Sequence, residues 1–492
     1  MIHVSDLLHY KKCPIYCWKK RFEKVENPHT YSLNKPFSEL WLEYLGMTSY
    51  SRGEVGDTNE DTYQKLKENS VLFMGRFTYQ ECRTKIPLLE KYDDGYRVTY
   101  PFLSATPKEH EALFMKINHE ILHHCGIDVT SYRIVYLNKE YVRQDELEIH
   151  SLFLESDSLF NKRNHIGKDV FTCFESIDLD LESWIEETKQ VLESPCQNST
   201  RSKQCTTIRR CPYYDHCFDE SDLPDDSILF LTTSQYKMDL FSQEISHIHE
   251  LPLAKFDGFR LQYAQYMASK NGSFYDQCAL KTWSQEIQKP ISYLDFEWDT
   301  FAIPPYSGMK PFDVLCFQYS LHIEHDRQNL IHRDYFGTGD CRKEFIESLI
   351  ANIPHEGSIL VYNMEGAEKL RLKQLSIQFP EYKEQLDQIC ERMIDLSKPF
   401  EAGLFYDNRQ RGHYSLKSLL PVFTDEYSYS QLNIQTGMSA VHAYRTFDQS
   451  DLKAQKEIRT NIRNYCKMDT FAEYVVYHGL LRLLKREVDI HA

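Results

Sequence analysis

Residues 291–298 read ISYLDFEW, and this stretch predicts a core strand of an α/β fold. Neighbouring side chains on a strand point to opposite faces, so Leu294 and Phe296 are expected on one face and Asp295 and Glu297 on the other. Two acids inside an otherwise apolar strand are unfavourable unless a metal ion or a partner compensates their charge. The stretch therefore predicts a site at which carboxylates meet a cation.

The sequence around this strand predicts a mixed sheet with flanking helices. Strand patterns and helical spacings of apolar residues alternate in the segments 314–323 (strand), 329–336 (strand), 341–353 (helix), 357–363 (strand) and 368–379 (helix). Three strands, a helix, a strand and a helix form the RNase H-like order. Residues 450–486 predict a long final helix, because no proline or glycine interrupts them before Gly479.

Further acids lie at informative positions in this half of the chain. Glu368 follows the predicted strand that ends at Asn363, and Asp469 follows Tyr465 by one helical turn. Hard divalent ions such as Mg²⁺ and Mn²⁺ prefer carboxylate oxygens. Two such ions, roughly 4 Å apart, activate a water and stabilise the leaving oxygen of a phosphodiester. We therefore expect a two-metal nuclease site.

This pattern resembles the DEDD exonucleases of the DnaQ-like group. Their motifs are D-x-E, an Asn followed by an acid, and Y-x-x-x-D, which match Asp295 with Glu297, Asn363 with Glu368, and Tyr465 with Asp469. The resemblance implies 3′-to-5′ removal of nucleotides with two Mg²⁺ or Mn²⁺ ions. The four acids would bind the metal, Tyr465 would orient the attacking water, and Asn363 would contact the substrate.

Two positions of the metal site stay open. The second motif is one residue longer than usual, so Glu365 competes with Glu368 for its role. Asp395, in MIDLSKPF, is a weaker candidate for a further ligand, because the matching aspartate of DnaQ relatives usually supports the fold.

The charge of the chain limits how it meets nucleic acid. The net charge is −16, and a strongly acidic surface repels a polyanion, so phosphate contacts must be local. The basic segment RQRGHYSLK, residues 409–417, offers His413 and Lys417 as substrate-binding residues. We expect 3′ ends of single-stranded DNA, favoured over RNA, as the substrate.

The cysteines indicate a second cofactor. Four of the fourteen cysteines crowd between residues 196 and 217, which favours a metal or cluster site over disulfides. The segments SDLLHYKKCPIYCW and QCTTIRRCPYYDHC resemble the RecB-like nucleases that carry an iron-sulfur cluster. That resemblance implies a [4Fe-4S] cluster on the ligands Cys13, Cys205, Cys211 and Cys217.

The cluster ligands also have alternatives. The spacing departs from the family, so Cys196, Cys17 or His216 could substitute for one ligand. A Zn²⁺ site of Cys196, Cys205, Cys211 and Cys217 is the second interpretation.

The chemistry of a RecB-like PD-(D/E)XK nuclease is missing from its expected positions. Its aspartate falls near Lys85, and its E-x-K falls near residues 100–102, which read YPF. We expect the fold without the activity, used to bind or position nucleic acid. A shifted alignment would recruit Glu90 or Glu109 instead.

Together these features predict three parts. Residues 1–222 would form the RecB-like iron-sulfur module, 223–288 a helical connector, and 289–492 the DnaQ-like exonuclease domain. The whole chain resembles a bacterial family of uncharacterised function that fuses these two modules. The alternative is a non-catalytic nucleic-acid-binding or scaffold protein in DNA repair or antiphage defence, with a protein partner. No secretory signal or membrane span is recognised, so a cytoplasmic protein without membrane contact is expected.

Overall fold

The computed structural model describes residues 1–23, 31–33, 35–206, 210–326 and 329–486. They divide into two units of mixed α/β structure: Met1–Asp219 with Phe301–Asp313, and Glu220–Thr300 with Val314–Ala492. The first division lies close to the predicted boundary at residue 222. The predicted connector, 223–288, packs with residues 289–300 and 314–486 in the second unit.

Residues 301–313 belong to the first unit, although the sequence assigned them to the exonuclease domain. The reason is apolar burial. Ala302 and Ile303 are 0% and 7% exposed and lie in one hydrophobic cluster with Leu40 and Trp41 of the first unit.

The helices and strands of the first unit are β1 (Ile2–His3), α1 (Val4–Lys12), α2 (Pro14–Phe22), α3 (Phe37–Tyr44), β2 (Ser51–Arg52), α4 (Asn59–Glu68), β3 (Val71–Tyr79), β4 (Cys82–Tyr92), β5 (Gly95–Phe102), α5 (Ala112–His124), β6 (Val129–Leu137), α6 (Ile149–Leu152), β7 (Phe153–Ser156), β8 (Ser158–Phe160), β9 (Ile166–Asp169), α7 (Val170–Glu175), α8 (Leu181–Glu193) and α9 (Tyr214–Cys217). The main sheet has the order β2-β3-β4-β5-β6-β7, and β1 pairs with β4. Strands β3 to β5 are antiparallel, whereas β5 and β6 are parallel.

The helices and strands of the second unit are α10 (Lys237–Ser242), α11 (Arg260–Asn271), β10 (Ser273–Tyr275), α12 (Gln277–Gln285), β11 (Ile291–Thr300), β12 (Val314–Asp326), β13 (Asn329–Phe336), α13 (Arg342–Asn352), β14 (Ile359–Val361), α14 (Glu368–Gln378), α15 (Lys383–Glu391), β15 (Met393–Asp395), α16 (Lys398–Glu401), β16 (Phe405–Asp407), α17 (Leu416–Phe423), α18 (Gly437–Thr446) and α19 (Leu452–Arg486). Its main sheet has the order β13-β12-β11-β14-β15. The first three strands are antiparallel, and β11, β14 and β15 are parallel.

The core of the second unit explains why β11 is its central strand. Leu294 and Phe296 are 0% and 2% exposed and pack with Phe345 of α13 and Leu372 of α14. The other face of the sheet carries polar side chains and packs against α19, which contacts β11 and β12. Gly479 fits within this long helix because the Phe423 ring lies where a Cβ would stand.

The region 235–251, within the predicted helical connector, is mostly not helical. Apolar spacing predicts a helix through QYKMDLFSQEISHIHEL, but only α10 forms, followed by a 3-10 turn at Ile248–Glu250. Glu244 adopts a positive φ of 64°, which ends the helical path. The helix predicted around residues 259–269 is present as α11.

No helix in the described ranges combines the length and apolar character that crossing a membrane requires.

Candidate active site

Strand β11 presents the two acids of the D-x-E motif on the polar face of its sheet. It lies between β12 and β14, so both of its edges are hydrogen-bonded. Asp295 is opposite Ser320 and Glu297 is opposite Gln318, and the register with β12 shifts directly after Glu297. Such bulges re-aim side chains and are frequent next to active sites.

Glu368 reaches the same region from the first residue of α14. Its side chain is almost fully buried, at 2% exposure. The backbone N–H of Phe296 donates to its carboxylate, but Oε2 has no hydrogen-bond partner. Burial, helped by the Asp395 carboxylate, raises the pKa of Glu368 to about 8.

Helix α19 supplies residues on three successive turns, Tyr465, Asp469 and Glu473. The Tyr429 hydroxyl donates to Asp469 Oδ1 at 2.6 Å, and the neighbouring Tyr465 hydroxyl also favours the charged form of this carboxylate. Glu473 is 0% exposed, and neither of its carboxylate oxygens has a hydrogen-bond partner. A buried carboxylate without partners is strongly unfavourable unless it holds a proton or a cation.

Five carboxylates interact electrostatically here and are called the acid cluster: Asp295, Glu297, Glu368, Asp469 and Glu473. Burial, and after it the neighbouring carboxylates, raises the pKa values of Asp295, Glu297 and Glu473 well above the ordinary range. Burial raises the pKa of Asp469 to about 6, although hydrogen bonds and Lys417 oppose this rise. Full ionisation of the five carboxylates is therefore unfavourable unless protons or cations are bound.

Two other buried acids of the unit, Asp299 and Glu324, have basic partners. Asp299 accepts two hydrogen bonds from Arg445, at 2.7 and 3.0 Å, and Glu324 pairs with Lys289 and His478, each at 2.9 Å. Among the described side chains, no Lys, Arg or His forms an ion pair with a member of the acid cluster. A bound cation would supply the positive charge that the neighbouring side chains do not.

Cys466 is a neighbour of the cluster that the motifs do not include. Its Sγ lies 3.2 Å from Asp295 Oδ2. One ligand atom from each of Asp295, Glu297 and Cys466 lies within 4.8 Å of the others, a spacing that could hold a metal ion.

Of the two predicted substrate contacts in 409–417, Lys417 is next to the cluster. Its Nζ is 5.4 Å from the Tyr465 ring centroid and 5.6 Å from that of Tyr429. Its charge opposes the rise in the pKa of Glu297 that burial and Asp469 produce. His413 is exposed, and its carbonyl accepts from Gln410.

Both carboxylate oxygens of Asp395 accept hydrogen bonds from backbone N–H groups. Oδ1 accepts from the N–H groups of Asn363 and Ser397, at 3.1 and 2.8 Å, and Oδ2 accepts from Met364 at 3.1 Å. This arrangement fixes the turn after β14 and favours a positioning role for Asp395 over that of a metal ligand.

The structure separates the two candidates for the second motif. Glu365 has a 62% exposed side chain that pairs with Lys369 at 2.7 Å, whereas Glu368 is buried in the acid cluster. Asn363 is exposed and adopts a positive φ of 62° in the turn before them. Its side chain packs against Gly366, where a Cβ would be crowded.

The four cysteines predicted as cluster ligands line one cavity of the first unit: Cys13, Cys205, Cys211 and Cys217. Cys13 precedes α2, Cys217 ends α9, and the Cys211 N–H donates to the Cys205 carbonyl at 2.9 Å.

The alternative ligands do not line this cavity. The Cys17 thiol is buried and donates to the Asp6 carbonyl at 3.3 Å. His216 Nδ1 is 3.4 Å from Glu23 Oε2. Burial raises the pKa of the Cys196 thiol, and the nearby Cys217 and Cys13 add to the rise.

The positions expected to hold PD-(D/E)XK chemistry carry none of the required groups. Lys85 is exposed on β4, and Tyr100 on β5 is 2% exposed in the hydrophobic core. Glu90 is 3.4 Å from Arg133, and Glu109 is half-buried beside Gly167. Within the described part of this unit, no three His, Cys, Asp or Glu residues bring ligand atoms within 4.8 Å of one another.

One family model matches part of the chain. Residues 292–415 match a domain of unknown function, DUF2779. The matched range contains Asp295, Glu297 and Glu368 but ends before Tyr465 and Asp469. Comparisons with curated proteins and with solved structures found no match.

Motif reasoning missed three residues of this site. Glu473 could have been predicted from the sequence, because it lies one helical turn after Asp469 on the same face of α19 as Tyr465. Cys466 is adjacent to Tyr465 in the sequence, but no motif includes it. Tyr429 lies 40 residues before Asp469, so only the folded chain connects them.

Proposed function

We propose that the second unit is a metal-dependent 3′-to-5′ exonuclease of the DEDD type, acting on single-stranded nucleic acid, with DNA favoured over RNA. The observation that carries this proposal is the acid cluster, whose buried carboxylates lack basic partners and include three oxygens without hydrogen bonds. Such a concentration of negative charge is stable only with bound protons or cations.

The strand order supports an RNase H-like fold for this unit. The central β11 carries the first acids, and β12 and β13 extend antiparallel on one side. β14 and β15 are parallel on the other side, as the DnaQ-like proposal requires.

The donor set fits Mg²⁺ or Mn²⁺, because these hard ions prefer carboxylate oxygens. Asp295, Glu297, Glu368 and Asp469 would hold the ions, and Glu473 adds a fifth carboxylate. When bound, two such ions activate a water and stabilise the leaving oxygen of a phosphodiester.

The remaining side chains would orient the acids and the attacking water and would attract the negatively charged substrate. Tyr429 fixes Asp469 through its 2.6 Å hydrogen bond, and the neighbouring Tyr465 hydroxyl would orient the attacking water. Lys417, beside both rings, would attract the phosphate backbone without pairing directly with an acid.

For the first unit we propose a RecB-like fold without nuclease activity that holds an iron-sulfur cluster. The shared cavity of Cys13, Cys205, Cys211 and Cys217 supports the cluster, because thiolates are its natural ligands. Among the described residues, no three of these sulfurs, and no three of the zinc alternative Cys196, Cys205, Cys211 and Cys217, lie within 4.8 Å of one another, a spacing wider than that of four thiolates on one zinc ion. Lys85 and Tyr100 at the catalytic positions support inactivity.

A time course on 5′-labelled single-stranded DNA and RNA with Mn²⁺ tests the proposal. Anaerobically purified wild type should give a ladder that shortens from the 3′ end, and Asp295→Asn should give none. Glu344→Gln, which changes an exposed acid of the same unit, should behave as wild type.

The second candidate is a non-catalytic binding or scaffold protein, which the degenerate catalytic positions of the first unit favour. It predicts that folded, metal-loaded wild type binds the labelled strands and leaves them intact. That result would replace the exonuclease proposal.

A further inference from the structure

Two histidines and an aspartate converge in a region that the acid cluster does not use. Asp226 Oδ1 is 2.8 Å from His247 Nδ1, and Asp226 Oδ2 is 3.5 Å from His249 Nδ1. One ligand atom from each residue lies within 4.8 Å of the other two. The two imidazole rings are 5.3 Å apart and inclined by only 31°.

We propose that Asp226, His247 and His249 bind one Zn²⁺ ion. Two imidazole nitrogens and one carboxylate oxygen form a mixed donor set that zinc accepts readily, whereas Mg²⁺ and Ca²⁺ prefer oxygen alone. An open fourth position would go to water, because the side chains of His247 and His249 are 39% and 41% exposed.

The site is held by its surroundings, so little rearrangement is needed to bind the ion. The Ser269 hydroxyl on α11 donates to Asp226 Oδ2 at 2.6 Å and accepts the backbone N–H of His249 at 3.0 Å. The Asp226 carbonyl accepts the Ile248 N–H at 2.9 Å, which fixes the aspartate beside the two histidines. Hydrogen bonds behind a ligand set its orientation and strengthen its hold on a metal.

The tautomers open to the two imidazole rings also permit binding. In the metal-free form, Nδ1 of His247 and Nδ1 of His249 lie at hydrogen-bond distance from Asp226 and Ser269, at 2.8 and 2.9 Å. Each ring can carry its single proton on Nε2 instead, which frees Nδ1 for the ion while the ring stays neutral.

The segment that contains the site has little regular secondary structure. Residues 220–259 form one six-residue helix, α10, and three-residue 3-10 turns. Their hydrophobic cluster has only five buried residues: Ile228, Leu231, Leu240, Ile248 and Leu251. Small cores of this kind are commonly reinforced by a metal, and an ion joining residue 226 to 247 and 249 would close a long loop.

Zinc content of the intact protein tests this proposal. Wild type, His249→Ala and His355→Ala are stripped with a chelator and equilibrated with Zn²⁺ against a competing chromophoric chelator. His355 is an exposed histidine of the same unit outside the site, so its variant is the matched control. Zinc at the cysteines or the acid cluster is common to all three proteins, and the difference between them reports the proposed site.

We expect wild type and His355→Ala to bind one zinc ion more per chain than His249→Ala, or to bind it at least about a hundredfold more tightly. With Co²⁺, the ion lost in His249→Ala should show visible bands without the near-ultraviolet band of a thiolate ligand. Equal zinc content and affinity in wild type and His249→Ala would overturn the proposal. If His249→Ala does not fold, Asp226→Asn provides the same comparison, because an asparagine oxygen still accepts from Ser269.

Discussion

Replacing Glu368 with glutamine should make the metal-free protein more stable at alkaline pH. Glu368 is 2% exposed, and burial raises its pKa from the usual 4.5 to about 8. Between these pH values the folded protein keeps a proton on Glu368 that the unfolded chain releases. Stability therefore falls as pH rises, and the loss is complete above the folded pKa.

The size of the effect follows from the rise in pKa. From 4.5 to about 8, at about 1.4 kcal/mol for each pH unit, the loss reaches about 5 kcal/mol. Glu368→Gln removes this dependence, and its amide oxygen can still accept from the Phe296 N–H, so the exchange itself costs at most about 1 kcal/mol at any pH. Above about pH 8 the variant should gain about 4 to 5 kcal/mol, and below about pH 4.5 the two proteins should agree within about 1 kcal/mol.

Urea unfolding with a chelator, from about pH 5 to about pH 9, measures this difference. Because the chain folds as two units, hydrogen exchange of peptides that span β11 reports the second unit alone. Glu365→Gln is the matched control, since its carboxylate is exposed, pairs with Lys369 and should contribute little to stability. A pH dependence that Glu368→Gln leaves unchanged, or that Glu365→Gln abolishes, would refute the reasoning.

Three further changes test separate parts of the account. Tyr429→Phe removes the hydrogen bond to Asp469 and should lower the stability of the metal-free protein by about 1 to 3 kcal/mol. Urea unfolding near neutral pH measures this loss, and an unchanged stability would mean that the bond does not stabilise the folded protein. Cys205→Ser should abolish the visible absorbance of the iron-sulfur cluster, whereas Cys196→Ser, outside the cavity, should retain it; loss in both would make Cys196 a cluster ligand, and a wild type without visible absorbance would favour the zinc interpretation. Lys417→Gln should weaken binding of single-stranded DNA and reduce its salt dependence by about one charge, measured by fluorescence anisotropy; an unchanged salt dependence would remove Lys417 from the substrate path.

The sequence predicted the second sheet well because its strands follow simple alternation. The strand expected at residues 329–336 has those limits in the structure, and the final helix runs from Leu452 to Arg486. The acids on β11 and α19 followed from the same periodicities, which fix the face on which a side chain lies.

The differences between the sequence predictions and the structure arise from contacts between segments that are distant in the sequence. Burial against Leu40 and Trp41 takes residues 301–313 into the first unit, and that depends on a distant segment. Apolar spacing in residues 235–251 fits a helix, but the backbone turns at Glu244 and the apolar side chains pack around 3-10 turns instead. Tyr429 contacts the acid cluster only because the loop that contains Tyr429 lies against α19.

The most direct test of the central claim is a calorimetric titration of the metal-free protein with Mn²⁺. If the acid cluster binds catalytic cations, wild type should bind two ions per chain and gain thermal stability, while Asp295→Asn should lose at least one of the two. Folded wild type that binds no Mn²⁺ above about pH 8, where the pKa of Glu368 permits ionisation, would contradict the account.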